Sequence, residues 1–124
     1  MVSKWEIYYC NLNPAVGSEQ RGTRPVVVIS SNDVNHNLPV STVIPLSSIN
    51  PGDKIYAMEV EMNAAITGLP KNSVAMLQQI RTVSHKRLTN LCGKITDIFI
   101  QREIENALRS YFDLSVAAGA QCQK

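Results

Sequence analysis

The longest uninterrupted apolar run in the chain is Pro25-Val26-Val27-Val28-Ile29, only five residues. A run that short cannot cross a bilayer as a helix. Its β-branched residues favour a short strand buried on both faces. A fold built around such a strand must cover two faces with other elements, and the flanking segments suit that task. Residues 5–11, 40–46 and 73–80 are short stretches rich in aromatic, β-branched or other apolar residues, punctuated by Gly, Pro or Asn. Val74, Met76 and Ile80 are the core candidates of 73–80. Pro45, near the end of 40–46, implies an edge or a bulge. Residues 56–62 alternate, with Tyr56, Met58, Val60 and Met62 on one face and Ala57, Glu59 and Glu61 on the other, as in a half-buried strand.

Helices come late. Ser84 reads as the N-cap of a short helix over 85–89, and 91–95 as a last short strand. Thr96 or Asp97 then caps a longer helix whose Ile100, Ile104, Ala107, Leu108 and Tyr111 recur at the spacing of one buried face. Arg109 near its C-terminus suits the helix dipole. Residues 13–22 and 31–39 read as polar loops. The fold class is mainly β with a C-terminal helix, a strongly bent barrel or pair of sheets. One domain is expected over 1–114, followed by a small, polar tail over 115–124.

With 124 residues and 44% hydrophobic content the chain can bury one core, which excludes a disordered or fibrous class. A net charge of +2 neither demands nor excludes nucleic acid, so the positions of the arginines decide. Cys10, Cys92 and Cys122 form no CxxC pair and are odd in number, which argues against a zinc site or a disulfide framework. Reduced thiols, and an N-terminus (Met1 to Glu6) without a signal-like apolar run, imply a soluble protein of the cytoplasm, with no membrane partner. His36 and His85 lie in no metal-binding pair, and no phosphate loop is present, so neither metal nor cofactor is expected. Cys10 and Cys92 read as core fillers.

What remains is a polar constellation. Gly17-Ser18-Glu19-Gln20-Arg21-Gly22-Thr23-Arg24-Pro25 sets a hydroxyl, a carboxylate, an amide and a guanidinium just before the buried strand. Arg24 taken alone is either a solvated residue at a strand start or a stabiliser of negative charge. Pro45-Leu46-Ser47-Ser48 and Gln78-Gln79-Ile80-Arg81-Thr82 place further small polar and amide groups where strands leave the core. For Gln78, Gln79 and Arg81 a hydrogen-bonded strand end is the alternative to a ligand contact.

These segments resemble the MazF/PemK/Kid toxins of bacterial toxin–antitoxin modules. Residues 17–28 are similar to that family's GSEQ-x-G-x-RP-VVV signature, residues 5–14 to its first strand, and Pro45-Leu46-Ser47-Ser48 to its PLTS segment. Gln79-Ile80-Arg81-Thr82 and His85-Lys86-Arg87-Leu88 resemble its QIRT and KKRL segments. The likeness covers residues 4 to 114. It implies an SH3-like barrel with a C-terminal helix, a homodimer, and an antitoxin partner whose tail occupies the RNA groove. It also implies metal-independent, sequence-specific cleavage of single-stranded RNA, leaving 2′,3′-cyclic phosphate and 5′-hydroxyl ends. Arg24 then matches the catalytic arginine, Ser47 a position where Thr is usual, and Glu19 an acidic loop residue that acts as base or holds Arg24. Ser18, Gln20, Ser48, Gln78, Gln79 and Arg81 are the implied RNA contacts. Gln78 and Met76 depart from the Kid-type acid and arginine, so the Arg24–Ser47 arrangement carries the expected chemistry. The competing classes are a gyrase poison like CcdB and a non-catalytic SH3-like binding module.

Overall fold

The computed structural model describes residues 1–115. Its elements in chain order are β1 (Glu6–Asn11), β2 (Thr23–Val28), α1 (Asn32–Asn37), β3 (Val40–Ser48), β4 (Glu59–Met62), α2 (Ala64–Thr67), β5 (Ser73–Met76), β6 (Arg81–Ser84), β7 (Leu88–Lys94) and α3 (Ile98–Tyr111). Single 3-10 turns, Leu77–Gln79 and His85–Arg87, precede β6 and β7. Every paired strand is antiparallel, in the order β4-β5-β3-β2-β1-β7, with β6 also on β3.

The bend sits in β3. Val40 to Val43 pair with β6, whereas Leu46 to Ser48 pair with β5. Pro45 falls between these two partners, opposite Val26 of β2. The sequence predicts an edge or bulge at Pro45. The structure instead puts it, buried, inside the most connected strand. Where β3 changes partner one of its sides carries no ladder, so a missing N–H is accommodated there.

The apolar run of β2 is buried on both faces as its sequence predicts. Val27 joins Ile7, Ile44, Leu46, Leu77, Ile95 and Ile104 in the larger core, while Val26 and Val28 join Cys10, Leu12, Val43 and Val83 in a smaller one. Successive side chains of a strand point to opposite faces, so three adjacent valines serve two cores. Helix α3 closes the larger core with Ile100, Ile104, Ala107 and Leu108. Asp97 caps it, Oδ1 accepting from the N–H groups of Phe99 and Ile100 at 2.9 and 3.1 Å. Tyr111 lies past the core's edge, 43% exposed, and stacks edge-on with Phe112.

Other expectations are corrected. The 31–39 loop contains α1, capped by Ser31. Strand 56–62 is reduced to β4, with Val60 and Met62 buried but Tyr56 and Met58 exposed. Segment 73–80 breaks into β5 and a 3-10 turn. The helix over 85–89 is a single 3-10 turn, capped by Ser84, and β7 starts directly after it. The 115–124 tail lies, but for Ser115, outside the described residues, as does Cys122. No helix among the described residues is long and apolar enough to cross a membrane.

Candidate active site

The loop from β1 to β2 has little apolar content of its own and is shaped by hydrogen bonds. Its base closes where Leu12 N–H donates to the Gly22 carbonyl and Gly22 N–H donates to Asn13 Oδ1, both at 3.0 Å. Gly22 has φ +85, a left-handed conformation that disfavours residues with a Cβ. At the tip, Glu19 Oε1 accepts from Val16 N–H at 2.8 Å while Glu19 N–H donates to the Val16 carbonyl at 3.1 Å. Glu19 thus ties a local turn. Among the described residues the one ion pair joins Lys4 and Glu105, so Glu19 does not pair with Arg24.

Arg24 is half-buried at the start of β2. Its Nε donates to the Arg21 carbonyl at 3.0 Å. The Gln20 side chain, with its amide oxygen toward the guanidinium, accepts from Arg24 Nε and, at 3.0 Å, from Nη2. The guanidinium is held on one edge while other N–H donors of its five-donor fork stay available.

Arg24 and Ser47 both lie just past the end of the β2–β3 ladder. Val26 lies opposite Pro45, the last of the β2–β3 pairs. Two residues beyond, on each strand, stand Arg24 and Ser47. Ser48 points the other way from Ser47. With Arg24, Leu46, Tyr9, Pro25, Lys71 and Ser73 it lines a groove of about 390 Å³. The two adjacent serines thus point to opposite sides of the strand, and Ser48 is the one that lines the groove with Arg24.

The second group converges. Glu19, Gln20, Gln78, Gln79 and Arg81 surround one shallow depression of about 290 Å³ beside the loop. Gln79 Oε1 accepts from Gln20 N–H at 2.8 Å, and its Nε2 donates to the Ser18 carbonyl at 3.0 Å. Ser18 is bound here through its main chain, and its side chain is exposed. Arg81 Nη1 donates to the Leu12 carbonyl at 3.1 Å. Arg87 Nη1 donates to the carbonyls of Asn11 and Asn13. Gln78 donates to Glu59 Oε2 at 3.3 Å. Sequence reasoning missed Arg87 and Glu59 as parts of this site. The signal for Arg87 is its place in the His85-Lys86-Arg87-Leu88 segment. Glu59 has no local signal, because β4 reaches the site only through the sheet. Among the described residues no group of three or more His, Cys, Asp or Glu side chains is placed to hold a metal ion.

Comparison with known proteins accords with this geometry. The profile of the family described as "PemK-like, MazF-like toxin of type II toxin-antitoxin system" matches residues 3–112. "Endoribonuclease EndoA" of Bacillus subtilis (strain 168) is 33% identical over 109 residues, 88% of this chain and 92% of that protein. "Endoribonuclease MazF9" of Mycobacterium tuberculosis (strain ATCC 25618 / H37Rv) is 32% identical over 119 residues, 92% of this chain and 98% of that protein. Among solved structures, MazF from Deinococcus radiodurans superposes with a TM-score of 0.76 at 21% identity, covering 91% of this chain and 97% of that one. An endoribonuclease from a mycobacterial species, solved with its cognate antitoxin, gives a TM-score of 0.74 at 18% identity, covering 94% of this chain and 99% of that one. The bent antiparallel sheet with its closing helix is thus the fold of the MazF structures, and the chain belongs to the PemK-like, MazF-like toxin family of type II toxin–antitoxin systems.

Proposed function

We propose that this chain is a sequence-specific endoribonuclease toxin that cuts single-stranded RNA through the RNA's own 2′-hydroxyl. The observation that carries the reading is the Arg24 guanidinium, fixed on one edge by Gln20 and the Arg21 carbonyl, lining the groove beside the Ser47-Ser48 end of β3. The family and its two endoribonuclease relatives support it.

In the proposed reaction the 2′-oxygen attacks phosphorus and loses its proton, the P–O5′ bond breaks, and O5′ takes a proton. The products are a 2′,3′-cyclic phosphate and a 5′-hydroxyl. Because the substrate supplies the nucleophile, the protein has to align it, stabilise the added charge and move protons, tasks that need no metal. Arg24 stabilises the phosphorane-like charge with its open donors. Ser47 donates to a phosphate oxygen. Glu19 is the acidic group of the loop. Its bond to Val16 N–H favours a structural role over that of a base. Gln78, Gln20 and Arg81 at the depression, and Ser18 and Ser48 near it on the loop and in the groove, contact RNA.

The toxin domain spans 1–114 and acts in the cytoplasm as a homodimer, restrained by a cognate antitoxin. Leu91, Ile98 and Phe99, all exposed, offer apolar surface for protein partners. The test is incubation of purified protein and of Arg24→Ala with a long single-stranded RNA in excess chelator, with mapping of the cut ends. Discrete cuts with 5′-hydroxyl ends, absent from the variant, are expected. No cutting by folded wild type, or DNA breakage in its place, would overturn the reading.

A further inference from the structure

We propose that Gln79 is a positioning residue for RNA cleavage: its amide clamps the backbone of residues 18–20, so that Gln20 presents the Arg24 guanidinium. This rests on the reading of Arg24 as the group that acts on the phosphate. The sequence places Gln79 among the RNA contacts, and the geometry gives its amide a different occupation. Its oxygen takes the Gln20 N–H at 2.8 Å and its nitrogen the Ser18 carbonyl at 3.0 Å. Both ends of the amide are engaged. A base edge could meet only the second N–H and the second lone pair, since one of each is already spent on the loop.

The chain of contact continues to the reacting group. Gln20, held by its N–H, accepts from Arg24 through its own side chain. The clamp has a firm footing: Gln79 ends the 3-10 turn Leu77–Gln79, whose Leu77 is fully buried and bonded through N–H to the Met58 carbonyl. Position 79 calls for an amide in particular. Only a side chain that donates and accepts side by side can serve a carbonyl and an N–H together; a carboxylate lacks the donor, and Lys or Arg lacks the acceptor. Arg81 and Arg87 likewise bond main-chain carbonyls, at Leu12 and at Asn11 and Asn13. Side chains from outside the loop thus hold it by its backbone.

The experiment compares wild type, Gln79→Met, which keeps length but loses both bonds, and Gln79→Glu, which keeps only the acceptor. Each is assayed on an RNA with several cleavage sites, and hydrogen exchange at the Gln20 amide is measured without RNA. Gln79→Met is expected to lower kcat on the order of tenfold or more at every site alike, with KM and site preference little changed. Gln20 exchange should quicken in Gln79→Met and stay slow in Gln79→Glu, while both variants keep the wild-type melting curve. Altered site preference with unchanged Gln20 exchange would overturn the proposal and make Gln79 a base reader. Loss of cleavage in wild type would overturn the reading of Arg24 and the positioning role with it, and the exchange rates would still show whether the clamp exists.

Discussion

The carbonyl oxygen of Thr67 lies 2.5 Å from where a Cβ on Gly93 would stand. The obstacle is backbone, so it cannot swing aside as a side-chain tip could. Here the end of α2 is seated directly on β7, and only glycine lets the two chains approach so closely. Gly93→Ala should therefore cost about 1–3 kcal/mol, as overpacking does, and lower Tm by roughly 5–10 °C. Calorimetry of the two proteins checks this. An unchanged Tm would mean that α2 can lift from β7 freely.

Tyr8 offers a pH-dependent test of the packing around β1. Burial first, and then the Glu6 carboxylate that its phenol donates to at 3.0 Å, push its pKa up from 10.0 to about 12. The folded state thus favours the neutral phenol. Its contribution to stability is complete below pH 10 and is lost as pH rises toward about 12. Denaturant midpoints measured across that window should fall more steeply for wild type than for Tyr8→Phe. Parallel curves would show that Tyr8 ionises alike in both states.

Cys10 tests the smaller core. It is fully buried, and burial pushes its thiol above the ordinary value, although Arg81 and Arg87 pull the other way. A raised pKa leaves little thiolate at neutral pH, and thiolate is the reactive form. Iodoacetamide at pH 7.5 should leave Cys10 unlabelled in native protein and label it in denaturant, as read by peptide mass spectrometry. Rapid native labelling would mean that β1 opens readily.

These sites differ in how far the sequence reveals them. The burial of β2 on both faces follows from its unbroken apolar run, and the start of α3 from Asp97 ahead of a 3.6-residue period. Helix α1 has no such pattern. It is ordered by a buried polar network in which Ser30 and Ser41 donate to Asn35 Oδ1 at 2.5 and 2.7 Å and Ser41 meets His85 Nε2 at 2.8 Å. Polar residues that read as loop become interior once their partners arrive from other strands. The break after β5 is hidden because Leu77 continues an apolar run while its backbone turns toward Met58. At the site, the family motif singles out Arg24, and strand parity then separates Ser47 from Ser48. The occupation of Gln79 was beyond reach, since its partner Ser18 is 61 residues away.

Ser47 carries the last prediction. It stands where the resembled family usually has Thr, opposite Val74 of β5. A hydroxyl donating to a phosphate oxygen makes a charge-assisted bond, worth roughly 1.5–3 kcal/mol. If the bond forms in the transition state, Ser47→Ala should lower kcat about 10- to 100-fold, with little change in KM. Ser47→Thr keeps the hydroxyl and adds a β-branch that narrows its rotamers, so activity should equal or exceed that of wild type. Single-turnover cleavage of one defined RNA by the three proteins decides the matter. A fully active Ser47→Ala would leave charge stabilisation to Arg24 alone. A Ser47→Thr variant as impaired as Ser47→Ala would instead show that the space beside Val74, and not the hydroxyl, sets the role of this position.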